Sequence, residues 1–269
     1  MTGRGTGAAA GSCPGKDHLE RVRDAVADYY AAFVERMSLD EASCPSLFRF
    51  GASQVIEELY GTRTAEELEQ VQGVSLGCGN PLSAAALATG QVVLDLGCGL
   101  GLDCLLAAKA VGSSGRVVGI DLVDDMVKRA LLTARSAGQD NAGFVRCAME
   151  GVPLSSGSVD VVISNCAVNL SADKGAVLSE AARLLKPGGR LVVYDILSDA
   201  VVPDEVCSDL GLWAGCVGGV LTAEQYVRHL NRAGLVEARV REAGSAEGLV
   251  ERVPGAPRLY VGEITARRQ

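Results

Sequence analysis

The sequence predicts an α/β protein built on a doubly wound, mostly parallel sheet, with a helical segment before it and a substrate-binding segment after it. Two observations carry this. From residue 91 short apolar runs alternate with amphipathic stretches, which is the pattern of βαβ units. The first of those runs ends in a glycine cluster that opens a helix, Asp95-Leu96-Gly97-Cys98-Gly99-Leu100-Gly101.

Residues 1–16 (MTGRGTGAAAGSCPGK) are small and flexible, without the apolar stretch of a secretory signal, and read as a disordered tail. Residues 17–75 read as a helical cap. Val22, Val26, Tyr29, Phe33 and Met37 recur at helical spacing there, and two shorter helices are expected around Val55–Tyr60 and Ala65–Val71. Gly77, Gly79 and Pro81 break the pattern. Residues 76–200 form the sheet core. Strands are expected at Val92–Leu94, Arg116–Ile120, Phe144–Arg146, Val159–Ser164 and Arg190–Asp195, with helices at Cys104–Val111, Asp125–Ala137 and Ala176–Leu185. Lys186–Gly189 reads as a turn before the fifth strand. Residues 201–269 begin with a Gly- and Cys-rich stretch. A helix at Thr222–Ala233 follows, with Thr222 as N-cap and Gly234 as its stop, and then two late strands.

Composition excludes several classes. The net charge of −8 and the 4% aromatic content leave neither a basic face nor stacking platforms for nucleic acid. No apolar run approaches the ~18–20 residues of a membrane span. Nine cysteines are scattered along the chain without a CxxC pair, which favours a reduced cytoplasmic enzyme over a disulfide scaffold or zinc ribbon. Imidazole chemistry would rest on His18 and His229, both placed on helices and read as structural or solvated.

The glycine loop is a ligand cradle, because backbone N–H groups without side chains can approach closely. It is not a dinucleotide fingerprint: counting from Gly97, the sixth position is Leu102 instead of glycine. Asp95 precedes the loop, where a carboxylate would repel a pyrophosphate and suit an amino-acid ammonium. Asp121 ends the second strand, where it can accept from a ribose diol. Together they favour S-adenosylmethionine over NAD.

With the turn LKPGG, this core resembles the class I methyltransferases, which have a Rossmann-like sheet. That resemblance implies that Gly97 and Gly99 line the methionine moiety beside Cys98. It puts Asp121 and Leu122 around ribose and adenine, Met149 and Glu150 along the adenine, and Asn165 on the sulfonium side.

Cys78 lies in GCGNP, Cys166 in SNCAVNLS just beyond the fourth strand, and Cys216 in AGCVGG. Ligands of doubly wound sheets bind outside the carboxyl ends of the strands, so topology puts Cys166 beside the transferred methyl group. Soft thiolates select soft centres, and trivalent arsenic keeps a lone pair that needs no general base. From about Cys44 to the helix after Cys216, the trio of motifs is similar to the arsenite methyltransferase family. The resemblance implies that Cys78, Cys166 and Cys216 hold arsenite. It implies that Cys44 forms a disulfide with Cys78 as arsenic is oxidised, that thioredoxin or glutathione is the reductant, and that Asn169 supports the Cys166 loop. Cys44 stands alone in EASCPS, whereas many members have adjacent cysteines there.

Cys104, Cys147 and Cys207 read as small buried hydrophobes, Cys98 as filler inside the loop, and Cys13 as part of the tail. A monomer is expected. Two other readings stay open at this stage. One is methyl transfer to a carbon, nitrogen or oxygen nucleophile of another small molecule. The other is a metalloid-binding redox protein without turnover.

Overall fold

A computed structural model describes residues 16–39, 60, 76–247, 250, 253 and 255–269. Residues 1–15 of the expected tail, Cys13 included, Cys44 and most of the two short helices expected before residue 76 lie outside the described residues, while Lys16, expected in the tail, opens the first helix.

Helix α1 spans Lys16–Leu39. The core then runs α2 (Pro81–Ala85), β1 (Val92–Leu96), α3 (Leu102–Val111), β2 (Arg116–Asp121), α4 (Asp124–Ser136), β3 (Ala142–Arg146) and β4 (Val159–Asn165). A 3-10 turn at Val168–Leu170, α5 (Lys174–Leu184) and β5 (Leu185–Ser198) follow. The last part is α6 (Asp204–Ser208), α7 (Leu210–Ala214), β6 (Leu221–Thr222), α8 (Ala223–Arg232), β7 (Leu235–Ser245) and β8 (Leu259–Arg268).

Among the described residues the strands make an eight-stranded sheet in the order β3-β2-β1-β4-β5-β8-β7, with β6 beside β5. Strands β1 to β5 are parallel, and β6 is parallel to β5. β8 runs antiparallel to β5, and β7 antiparallel to β8. This is the class I methyltransferase arrangement expected from the sequence. The direction of the two late strands is new information.

Alternation along the strands makes the two cores. Val93, Val161, Ile163 and Val192 pack on one face, and Leu94, Val162, Leu191 and Val193 on the other. Central strands buried on both faces therefore read as continuous apolar runs. A third cluster sets α1 over the carboxyl edge, with Val22, Val26, Tyr30, Phe33 and Val34 against Val123, Met126 and Trp213.

Several expectations are corrected. The buried register of α1 is Tyr30, whereas Tyr29, chosen from spacing, is only half-buried. Helix α2 begins where a break was expected. Asn80 caps it by accepting from Leu82 N and Ser83 N, and Pro81 sits in its first turn, where a missing N–H costs nothing. The Lys186–Gly189 turn does not precede β5. It is carried inside the strand as an irregularity, since Val159 pairs with Leu185 but Val161 pairs with Arg190. The Gly- and Cys-rich stretch after residue 200 contains α6 and α7, each too short to leave a periodic signal. Helix α8 forms as expected, with a Thr222–Gln225 capping box.

Candidate active site at the carboxyl edge of the sheet

A cavity of about 270 Å³ opens at the carboxyl edge, roofed by Leu19, Val22, Arg23, Val26 and Tyr30 of α1. Its floor contains Gly97, Gly99, Asp121, Leu122, Met149 and Glu150, and its inner end reaches Asn165 and Cys166. The residues fit a nucleoside ligand. Gly99 has φ +50° and a side chain added there would meet nothing within 4 Å, so the loop leaves open space against the backbone. Gly97, at φ +72°, instead packs against Ala167, which a Cβ would meet at 2.2 Å. The Asp121 carboxylate accepts from Gly99 N and Val123 N, both at 2.9 Å, which fixes it at the cavity wall. Burial raises its pKa above the usual carboxylate value. Glu150 accepts from Ser171 Oγ at 2.6 Å and faces Arg23 at 3.9 Å.

Two residues expected at the cofactor lie under the loop, off the cavity wall. Asp95 is 2% exposed and accepts from Cys104 Sγ at 3.2 Å. Burial, then repulsion from Asp103, drives its pKa well above the usual range. The Cys98 thiol donates to Gly99 O at 3.8 Å and lies beside the Cys104 thiol over Gly119. Gly119 makes room for both, since a side chain there would meet Cys104 Sγ at 2.7 Å and Cys98 Sγ at 2.9 Å. Cys104 is therefore a hydrogen-bond donor as well as filler.

Cys78, Cys166 and Cys216 are brought together. All three are buried free thiols. The Cys166 thiol lies close to both of the others, and Cys216 Sγ donates to the Cys166 carbonyl oxygen at 3.4 Å. Cys166 and Cys216 both occupy left-handed backbone, with φ +64° and +62°, where non-glycine residues are uncommon. For Cys78 the hydrogen bond from Cys166 favours the thiolate, but burial and Asp195 outweigh it and the pKa is raised. For Cys216 the hydrogen bond to Cys166 and burial push the pKa far up, with only Tyr30 opposing. Cys166 is also far up: its bond with Cys216 acts downward, and its bond with Cys78 and burial outweigh it. The resting site is a row of neutral thiols. Among the described residues no set of three or more His, Cys, Asp or Glu side chains is grouped to hold a metal ion.

The loops explain their glycines. A side chain at Gly77 would meet Asn165 Cγ at 2.2 Å, and one at Gly79 would meet the Tyr194 ring at 1.9 Å. One at Gly219 would meet Asn169 O at 2.0 Å. Asn169 ties the stretch after Cys166 to β5, donating from N to Asp195 Oδ2 at 3.0 Å and from Nδ2 to Ile196 O at 2.6 Å. Trp213 walls the Cys216 side and donates to Leu170 O at 3.1 Å.

Sequence reasoning missed four groups. Tyr30 donates its hydroxyl to Ala214 O at 3.4 Å, two residues before Cys216. Buried Lys174 donates to Ser171 O at 2.8 Å and stands 5.1 Å over the Trp213 ring, and burial lowers its pKa to about 8. Burial lifts Asp195 to about 7. Burial also lifts Asp103 to about 6, although Asn165 and Tyr60 donate to it. Asp195 had a signal: it is a carboxylate directly after the apolar run Leu191–Tyr194, near the ligand edge.

Residues 87–234 match the family model described as methyltransferase domain, and the chain is similar to an arsenic (III) S-adenosylmethionine methyltransferase from Chlamydomonas reinhardtii, at 32% identity over 81% of this chain and 73% of that one, with a TM-score of 0.58. The chain belongs to the arsenite methyltransferase family of class I methyltransferases. Among curated relatives, it is 36% identical to the arsenite methyltransferase of Aquipseudomonas alcaligenes over 82% of this chain, and 41% identical to that of Halobacterium salinarum over 60% of it. It spans 64% and 41% of the length of those two relatives. Members of the superfamily use S-adenosylmethionine, which the cavity residues fit. No helix among the described residues is long and apolar enough to cross a membrane.

Proposed function

We propose that this protein methylates trivalent arsenic held by Cys78, Cys166 and Cys216. The observation that carries the reading is the position of Cys166, which belongs both to the thiol row and to the inner end of the nucleoside cavity. Gly97, Gly99, Asp121, Leu122, Met149 and Glu150 would hold S-adenosylmethionine, which supplies an electrophilic methyl group when bound.

Arsenite enters by thiol exchange: three S–H groups replace three As–OH groups and three waters leave. The thiol protons go to the departing hydroxides, so no basic side chain is required. The neutral resting row suits this exchange, because three buried thiolates would repel one another. Three-coordinate binding then needs Cys78 and Cys216 to close in around the centre beside Cys166. The bound arsenic keeps its lone pair as nucleophile, and α1 with its apolar roof excludes water that would compete for the methyl group.

Methylation oxidises arsenic by two electrons. Return to the trivalent state takes two electrons from a pair of thiols, which become a disulfide. On family resemblance we assign that pair to Cys44 and Cys78, with thioredoxin or glutathione as the external dithiol or thiol reductant. The thiols must stay reduced to bind, which supports a cytoplasmic setting; we take the protein to act as a monomer.

Arsenite methyltransferases match up to 82% of this chain, which favours arsenic over an organic acceptor. Direct measurement of arsenite bound per chain tests the reading. The wild type should bind one arsenic tightly, and each of Cys78→Ser, Cys166→Ser and Cys216→Ser should weaken binding at least ~100-fold, as expected when one of three covalent ligands is removed. Unchanged binding in any one of them removes that residue from the site.

A further inference from the structure

Resting on the arsenic reading, we propose that Asn165 is a positioning residue for Cys78, and that its side chain serves the thiol site in place of the cofactor. Asn165 is the last residue of β4 and immediately precedes Cys166. Its Oδ1 accepts from Cys78 N at 2.9 Å and Gly79 N at 3.1 Å. Its Nδ2 donates to Gly79 O at 2.8 Å, to Asp103 Oδ2 at 3.0 Å and to Tyr60 Oη at 3.1 Å. Both ends of the amide are thus spent on the Cys78 loop and on Asp103, and none of these partners belongs to the cavity wall.

The consequence is geometric. One side chain fastens the backbone of Cys78 to the strand end that presents Cys166, so a single amide fixes the backbone from which the Cys78 thiol swings toward arsenic. Gly77 lets the loop lie flat on that amide, and Gly79 lets it lie flat on Tyr194. Tyr60 donates to the same Asp103 at 2.7 Å, which holds the amide in one orientation. Asp103 sits in the first turn of α3, which the glycine loop opens, so the Cys78 loop and the cofactor loop share an anchor.

The test pairs two binding measurements with a mutant cycle. Arsenite binding is followed by fluorescence of Trp213, the single tryptophan, whose carbonyl accepts from Cys216 N at 3.0 Å. S-adenosylhomocysteine binding is followed by calorimetry. Asn165→Ala should weaken arsenite binding by ~10-fold or more, the scale of losing several buried hydrogen bonds, and weaken S-adenosylhomocysteine binding by a smaller factor, since Asn165 also borders the cavity. In a Cys78→Ser background the same substitution should change arsenite affinity by less than about twofold, because the ligand it positions is gone. Iodoacetamide labelling read by mass spectrometry should show Cys78 reacting faster in Asn165→Ala while Cys216 is unchanged. Asn165→Asp, nearly isosteric but lacking the two donors, repeats the readouts if the alanine variant melts early. Weakened S-adenosylhomocysteine binding with unchanged arsenite binding overturns the proposal, and so do additive losses in the Cys78→Ser background. A wild type that binds S-adenosylhomocysteine but gives no response to arsenite overturns the arsenic reading itself, while the labelling rates still report on the loop.

Discussion

Cys216 Sγ donates to the carbonyl oxygen of Cys166 at 3.4 Å, and both residues are held in left-handed backbone although they lie 50 positions apart. A side chain in that conformation is strained by roughly 1–2 kcal/mol relative to glycine. The fold therefore tolerates strain at two thiols that face each other. We expect Cys216→Gly to be more stable than Cys216→Ser by about 1 kcal/mol in urea unfolding, while both lose arsenite binding. Equal stability of the two variants would show that the backbone at Cys216 is relaxed.

Gly79 lies against the Tyr194 ring with no room for a methyl group. Gly79→Ala must lift the Cys78 loop or tilt the ring, at a cost of ~1–3 kcal/mol for overpacking. Arsenite affinity should fall with it and S-adenosylhomocysteine affinity should not. Calorimetry with each ligand separates the two.

Asp121 is held by two backbone N–H groups facing the cavity. Asp121→Ala should weaken S-adenosylhomocysteine binding by ~10–100-fold, the scale of losing charge-assisted hydrogen bonds to a diol. Arsenite bound per chain should not change. A variant with normal cofactor affinity would move the ribose site elsewhere.

Asp103 gives a pH signature. Its folded pKa of about 6 lies above the ordinary carboxylate value of 3.8. The folded chain therefore takes up this proton before the unfolded chain does. The stabilisation from Asp103 protonation is fully present below pH 3.8 and is lost as pH rises through 6. Urea unfolding measured from pH 4 to 7 should show Asp103→Asn lacking this dependence, with the difference between variant and wild type growing toward pH 7. A constant difference across the range contradicts the shift.

The sheet was legible because its central strands are buried on both faces, so Val92–Leu96 and Val159–Asn165 stand out as apolar runs. The helix before the sheet was legible as a helix but its face was not: Tyr29 and Tyr30 are adjacent, and spacing alone could not choose between them. The short helices around Cys207 and Trp213 contain five residues each, too few for a periodic signal. The cofactor wall was read mostly from motif positions, which name a place in the backbone. Asp95 and Cys98 show the limit of that: their motif positions are right beside the ligand loop, but their side chains turn under it. The roles of Asn165, Tyr30 and Asp103 depend on contacts between segments far apart in the chain, which no local pattern records.

Methyl transfer to arsenic held at Cys166 is tested directly by product analysis. Purified protein is incubated with arsenite, S-adenosylmethionine and a thiol reductant, and arsenic species are separated by chromatography with elemental detection, with Cys166→Ser in parallel. Methylated arsenic is expected from the wild type and none from the variant, with S-adenosylhomocysteine binding preserved in both. Methylated arsenic from Cys166→Ser at the wild-type rate, or none from a wild type that binds the cofactor, would contradict methyl transfer at Cys166.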